Sequence, residues 1–205
     1  MKIINREVLQ SVYQIIAGAG TGTAFEISID NEYYLVTAAH CITEKDIFIF
    51  HDKQKIKLDY LWKKKHSHAD IAVIKLKEKI NGSISLENNE GTNYKLSEQL
   101  FFLGFPYRLG GAGSEINNGF DLPFVKSGIF SAMDKNREKF YIDAQNNPGF
   151  SGGPVIQVDT NGNSKVIGVV HGFIPENKAF GFENTGICIA INISLAIDII
   201  KEEIK

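Results

Sequence analysis

Cysteine is almost missing from this chain of 205 residues, which carries only Cys41 and Cys188, far apart and without metal-ligand spacing. That scarcity argues against a disulfide framework or a cysteine metal site, and points to a reducing compartment, the cytoplasm. Charge of one sign is lacking too. A net charge of −2 gives no reason to expect nucleic acid or an anionic membrane as partner. The run Lys63-Lys64-Lys65 reads as a solvated loop. No apolar stretch approaches the length of a membrane span. The opening MKIINREVLQSVYQII lacks a continuous apolar core and a small-residue cleavage site, so no signal peptide is expected. Low-complexity segments are absent as well.

What is present is an ordinary globular composition, 43% hydrophobic and 22% charged, on a chain long enough to bury a proper core. Short β-type runs dominate. Val12–Ile16, Thr23–Ile29, Tyr33–Ala38, Ile47–Phe50, Lys55–Tyr60 and Ile71–Leu76 form a first group. In Lys55–Tyr60 the alternation puts Ile56, Leu58 and Tyr60 on one face. A polar connection follows over 77–98. Leu100–Leu103, Phe124–Ala132, Lys139–Ala144, Val155–Val158, Lys165–Val170 and Ile187–Ile191 form a second group, with a glycine-rich loop over 107–122 and a hairpin turn at Asn161-Gly162. Ser194 can cap a final helix whose face is Leu195, Ile199 and Ile204. The expected fold is all-β: two six-stranded antiparallel barrels with a cleft between them and a C-terminal helix. The whole of 1–205 is then one domain, with 1–85 as the first barrel, 95–192 as the second and 193–205 as the helix.

Chemistry concentrates in Asn147-Pro148-Gly149-Phe150-Ser151-Gly152-Gly153-Pro154. Glycine permits backbone conformations that other residues resist, and proline fixes direction. Such a run can hold a hydroxyl at the lip of a cleft with bare N–H groups aimed beside it, as an oxyanion site requires. A serine hydroxyl is a poor nucleophile until a base takes its proton. A histidine does so near neutral pH when a carboxylate fixes its tautomer. The first half supplies both: His40 in Thr37-Ala38-Ala39-His40-Cys41, and Asp70 at the mouth of the apolar run Ile71-Ala72-Val73.

These three blocks resemble the signature blocks of trypsin-like, chymotrypsin-fold serine proteases, most closely the HtrA/Deg-type bacterial branch. Further matches lie in Leu103-Gly104-Phe105-Pro106, Ser127-Gly128-Ile129, Asp143-Ala144 and Gly186-Ile187-Cys188-Ile189-Ala190-Ile191. The resemblance implies His40 as general base, Asp70 as its orienting carboxylate and Ser151 as nucleophile, with the N–H groups of Gly149 and Ser151 forming the oxyanion hole. It implies a polypeptide substrate and no metal or cofactor. Three departures stand out. Phe150 occupies a place where the family usually has Asp or Asn, so the hole must be held by packing or induced by substrate. Cys41 lacks the usual disulfide partner, because Ala24 and Phe25 lie where it would be. No PDZ-type domain is expected with this chain.

The same resemblance makes His171, Gly172 and Phe173 the substrate-binding wall. His171 either helps bind an acidic side chain, as in glutamyl endopeptidases, or merely lines the cleft, since a one-residue shift turns a strand side chain to the other face. An uncharged or acidic P1 residue is expected over Lys or Arg. Gly149-Phe150-Ser151-Gly152-Gly153 also fits the G-x-S-x-G pattern of α/β-hydrolases, with Asp159 and His171 in that family's order. That fold needs strand–helix alternation ahead of the serine, which is missing. A catalytically dead peptide-binding module, and a latent protease switched on by a partner protein that orders the 107–122 loop or the oxyanion strand, are the other two readings.

Overall fold

The computed structural model describes residues 3–18, 20–44, 46–81, 84–85, 95–110, 115–179 and 181–204. Ahead of the first strand comes a short helix, α1 (Arg6–Gln10), which the sequence reading missed. Its cap is Asn5, whose side chain accepts from the Val8 N–H at 2.9 Å.

The N-terminal half holds β1 (Val12–Ala17), β2 (Gly20–Ile29), β3 (Glu32–Thr37), β4 (Phe48–His51), β5 (Gln54–Lys57), β6 (Tyr60–Lys65), β7 (Ala72–Leu76) and β8 (Ile84–Ser85). Seven of them hydrogen-bond in the order β5-β4-β1-β2-β3-β7-β6, and β8 pairs in parallel with β2. This sheet is open, where a closed six-stranded barrel is expected from the sequence. The reason lies at Leu58. Its side chain is buried and its N–H donates to the Ile47 carbonyl at 2.8 Å. The chain therefore turns there, and the expected single strand 55–60 becomes two. One piece, β5, is exposed at every position and ends on one edge; the other, β6, ends on the opposite edge. Ile56 is accordingly exposed and shares no face with Leu58. Lys63, Lys64 and Lys65 lie within β6, paired to β7, and are not a loop.

The C-terminal half holds β9 (Gln99–Gly104), β10 (Phe124–Met133), β11 (Lys139–Asp143), β12 (Pro154–Val158), β13 (Ser164–Lys178) and β14 (Gly181–Asn192). These close into a barrel in the order β10-β11-β14-β13-β12-β9, as expected. β13 and β14 run much longer than the sequence patterning indicates and project beyond the barrel as a hairpin.

Each half has its own apolar filling, and a third cluster lies between them. Phe25, Ile27 and Val36 from the first sheet meet Leu103, Ile156 and Val169 from the second there. Helix α2 (Ser194–Ile204) seals this seam with Leu195, Ala196, Ile199 and Ile200. Ile204 is 59% exposed and off that face. Ser194 is the first helical residue, so it does not cap the helix from outside. The shared seam holds the two halves in one orientation, and the cleft beside it is where their loops meet.

Candidate active site

Register explains why residues 40 and 70 meet. Thr37 at the end of β3 is paired with Ala72 at the start of β7. The chain that leaves one strand therefore runs beside the chain that enters the other. His40 sits on the 3-10 turn Ala39–Cys41, and its main-chain N–H donates to Asp70 Oδ1 at 2.9 Å. Its ring Nδ1 lies 2.6 Å from Asp70 Oδ2. That carboxylate raises the His40 imidazole to about 10, with the Cys41 side chain adding to the effect and partial burial opposing it. For Asp70 burial alone would push the carboxyl up. Hydrogen bonds from His171 and His40 outweigh it and hold the group well below the usual carboxylate range.

Ser151 comes from the other half. Gly152 N–H donates to the Val170 carbonyl at 2.7 Å, and Val170 N–H to the Gly153 carbonyl at 2.8 Å, so the serine loop is laced to β13. Among the described residues, Ser151 Oγ donates to the main-chain carbonyl of His171 at 3.1 Å and makes no hydrogen bond to the His40 ring.

His171 itself is turned toward Asp70: its Nδ1 is 2.5 Å from Asp70 Oδ2. A β-bulge accounts for this. Val170 pairs with Ala190 and Gly172 with Ile189, so His171 is the extra residue between them. A bulge breaks the two-residue alternation and re-aims one side chain. The imidazole is thereby brought onto the Asp70 carboxylate. The ring is half-buried, and its contact with Asp70 is one that sequence reading missed. Gly172 faces open space on its Cβ side, and Phe173 follows on the same strand, half-buried.

The loop before the serine is held at almost every carbonyl. Pro148 O accepts from Tyr107 N–H at 2.9 Å, and Gly149 O from Thr23 Oγ1 at 2.7 Å. Phe150 O accepts from Gly153 N–H at 2.9 Å, and Ser151 O from Thr23 N–H at 2.8 Å. Phe150 N–H closes the turn onto Asn147 O at 3.2 Å. Among the described residues, the N–H groups of Gly149 and Ser151 donate to nothing. Gly149 has φ +105°, and a Cβ there would run into the Phe105 carbonyl. Gly152, at φ +86°, approaches the Thr23 carbonyl so closely that no side chain fits. Phe150 is fully buried, edge-on to Phe102 with ring centroids 5.2 Å apart. The residue that departs from the family pattern thus points into the barrel core.

His40, Asp70 and His171 are the cluster of metal-ligand types among the described residues, with ligand atoms within 4.8 Å of one another. Their contacts of 2.5 and 2.6 Å are hydrogen-bond separations. One carboxylate oxygen thus accepts from two imidazole N–H groups.

A family model described as a trypsin-like peptidase domain matches residues 20–169. The serine protease HtrA-like protein of Staphylococcus aureus (strain USA300) is 29% identical over 160 residues, covering 74% of this chain and 20% of that protein. A probable periplasmic serine endoprotease, DegP-like, of Rhizobium meliloti (strain 1021) is 27% identical over 191 residues, covering 90% of this chain and 33% of its own length. The chain thus spans between a fifth and a third of these relatives. The crystal structure of the serine endoprotease from Yersinia pestis has the same fold: TM-score 0.70 at 21% identity, covering 98% of this chain and 67% of that one.

Proposed function

Since the chain belongs to the trypsin-like peptidase domain family, we propose that it is a serine endopeptidase working through Ser151, His40 and Asp70. The observation that carries this reading is the loop from Pro148 to Ser151. Its carbonyls are engaged elsewhere, and among the described residues the N–H groups of Gly149 and Ser151, on either side of Phe150, are left without an acceptor. Donors fixed in advance where negative charge develops are the largest single contribution in acyl-transfer catalysis.

In this mechanism Asp70 holds the His40 Nδ1–H, which leaves Nε2 to act as base. Ser151 Oγ rotates away from the His171 carbonyl, attacks the peptide carbonyl carbon and passes its proton to His40 Nε2. The carbonyl oxygen takes the negative charge and is received by the N–H groups of Gly149 and Ser151. Collapse breaks the C–N bond, and His40 returns the proton to the leaving amine. A water molecule, deprotonated by His40, then attacks the Ser151 ester; the acid leaves and His40 returns the proton to Ser151 Oγ. On this reading the first step is a side-chain rotation at Ser151, with the Pro148–Ser151 loop receiving the oxyanion. The polypeptide substrate lies along the 171–173 segment of β13.

The test is labelling by a fluorophosphonate probe. The native protein takes up the probe at Ser151, Ser151→Ala takes up none, and peptide hydrolysis falls by roughly 10⁶-fold in that variant. Failure of the native protein to label over pH 6–10 overturns the enzymatic reading and leaves the peptide-binding one.

A further inference from the structure

Strand β10 carries a lysine on its inward face. Along it Val125, Ser127 and Ile129 are exposed, while Phe124 and Phe130 pack on the barrel core and Gly128 lies against Ala144. Lys126 shares the inward register. Charged residues are seldom found on the inside of a small barrel without a defined partner. Among the described residues, the hydrogen-bond and ring partners of Lys126 belong to one segment, and the buried Cys188 of β14 lies within electrostatic reach. Its Nζ donates to the Gln145 carbonyl and to Asn147 Oδ1, the latter at 3.1 Å. It also stands 5.7 Å from the centre of the Phe150 ring. An ammonium has three protons and no acceptor. Two go to oxygens of this segment, and the charge lies within cation–π range of its one buried aromatic ring.

From this geometry we infer that Lys126 is a positioning residue, a half-buried cation that holds residues 145–150 in the conformation that carries the Gly149 and Ser151 N–H groups. The segment joins β11 to the serine and belongs to no strand. Its near end is tied by Lys126 through Gln145 and Asn147, and its far end by Thr23 through Gly149 and Ser151. Asn147 is held twice: its side chain by Lys126, its carbonyl by the Phe150 N–H that closes the turn. Remove the ammonium and Gln145 and the Asn147 side chain lose their donor, leaving the Asn184 side-chain bond to the Asn146 carbonyl at that end, while Phe150 loses the charge beside its ring. Burial of Lys126 pulls its pKa below the usual lysine value, in keeping with an ammonium set partly inside the barrel. Among the described residues its partners are carbonyl and amide oxygens rather than a carboxylate, so the interaction orients this segment without neutralising the charge.

The effect on catalysis rests on the serine-endopeptidase reading, but the positioning itself does not. The experiment compares native protein, Lys126→Met and Lys126→Arg by amide hydrogen exchange and steady-state kinetics. Methionine keeps the length and apolar stem; arginine keeps the charge and donors. In Lys126→Met, peptides covering 145–151 should exchange at least tenfold faster while β2, β3 and β14 keep their native protection. kcat should fall tenfold or more with KM changed less than twofold, and Lys126→Arg should recover most of both. Unchanged exchange over 145–151, or faster exchange spread evenly over the barrel, overturns the proposal. If exchange changes as expected while the native protein neither hydrolyses peptides nor labels with fluorophosphonate, the endopeptidase reading fails and the role of Lys126 stands.

Discussion

The ring of His171 meets Asp70 at 2.5 Å, on the same carboxylate oxygen that His40 approaches at 2.6 Å. Asp70 therefore divides its charge between two imidazoles whose ring centres are 6.1 Å apart. A carboxylate that accepts a second hydrogen bond is less basic toward the first donor, and it is also more firmly oriented. In His171→Ala, Asp70 acts on His40 alone. Its orientation then depends on the His40 ring and main-chain N–H only. We predict a fall in kcat/KM of about tenfold, the lower end of what a hydrogen bond to a charged group contributes. The acid limb of the pH–rate profile should move further up. His171→Asn, which keeps an N–H donor, should stay within about threefold of native. Equal profiles for native protein and His171→Ala would remove His171 from any part in the reaction.

The pH dependence follows from His40. As a base it acts only when neutral, and Asp70 raises its imidazole to about 10. The protonated form is the one stabilised by the carboxylate, so the active fraction grows as pH rises and is lost as pH falls. kcat/KM should therefore climb from pH 7 toward pH 10, with its acid limb above the ordinary histidine range of about 6.5. Asp70, held well below the carboxylate range, adds no limb between pH 5 and 9. A limb centred near 6.5 in steady-state kinetics would show that the carboxylate's pull on His40 is lost in solution.

Phe150 has become a core residue. It is fully buried against Phe102, and the Gly104 backbone comes so near that a Cβ there would strike the ring. Truncating a buried phenylalanine to alanine costs about 3–5 kcal/mol. Phe150→Ala should lose stability on that scale in chemical denaturation. The fraction that remains folded should still show reduced kcat, because the same side chain anchors the turn that presents Gly149. Loss of stability with native kcat in the folded fraction would separate the two roles.

The candidate site was legible where its chemistry is local. His40, Asp70 and the Pro148–Pro154 run each stand in short motifs, and register alone carries the first two together through Thr37 and Ala72. What was hidden depends on departures from regular geometry. His171 reaches Asp70 because a bulge interrupts β13, and no pattern in Val169-Val170-His171-Gly172-Phe173 marks which residue is the extra one. The first sheet stays open because Leu58 buries itself mid-strand, although Lys55 to Tyr60 alternates without a break. Lys126 did leave a signal. A lysine in phase with Phe124, Gly128 and Phe130 is out of place on the inside of a barrel, and a reading that tracked strand faces would have stopped at it.

Thr23 joins the two halves at the point where catalysis needs them aligned. It is fully buried, and its hydroxyl donates to the Gly149 carbonyl at 2.7 Å while accepting from the Phe105 N–H at 3.1 Å. Its main-chain N–H holds the Ser151 carbonyl, and its own carbonyl accepts from Thr37 Oγ1 at 2.7 Å. Valine has the same shape without the hydroxyl. In Thr23→Val the Gly149 carbonyl and the Phe105 N–H both lose a partner inside the protein, at a cost of about 1–3 kcal/mol for each buried group left unpaired. The Gly149 carbonyl then has no reason to stay turned inward. If that peptide rotates, the turn that carries the Gly149 and Ser151 N–H groups changes shape. We predict a kcat lowered by roughly 10²-fold, the effect of losing one oxyanion donor. KM should barely change, since Thr23 lies below the cleft surface. Thr23→Ser, which restores the hydroxyl and omits a methyl, should recover kcat even where its melting temperature stays low. A Thr23→Val protein with native kcat would mean that the loop is held by the N-terminal half through the backbone contact alone.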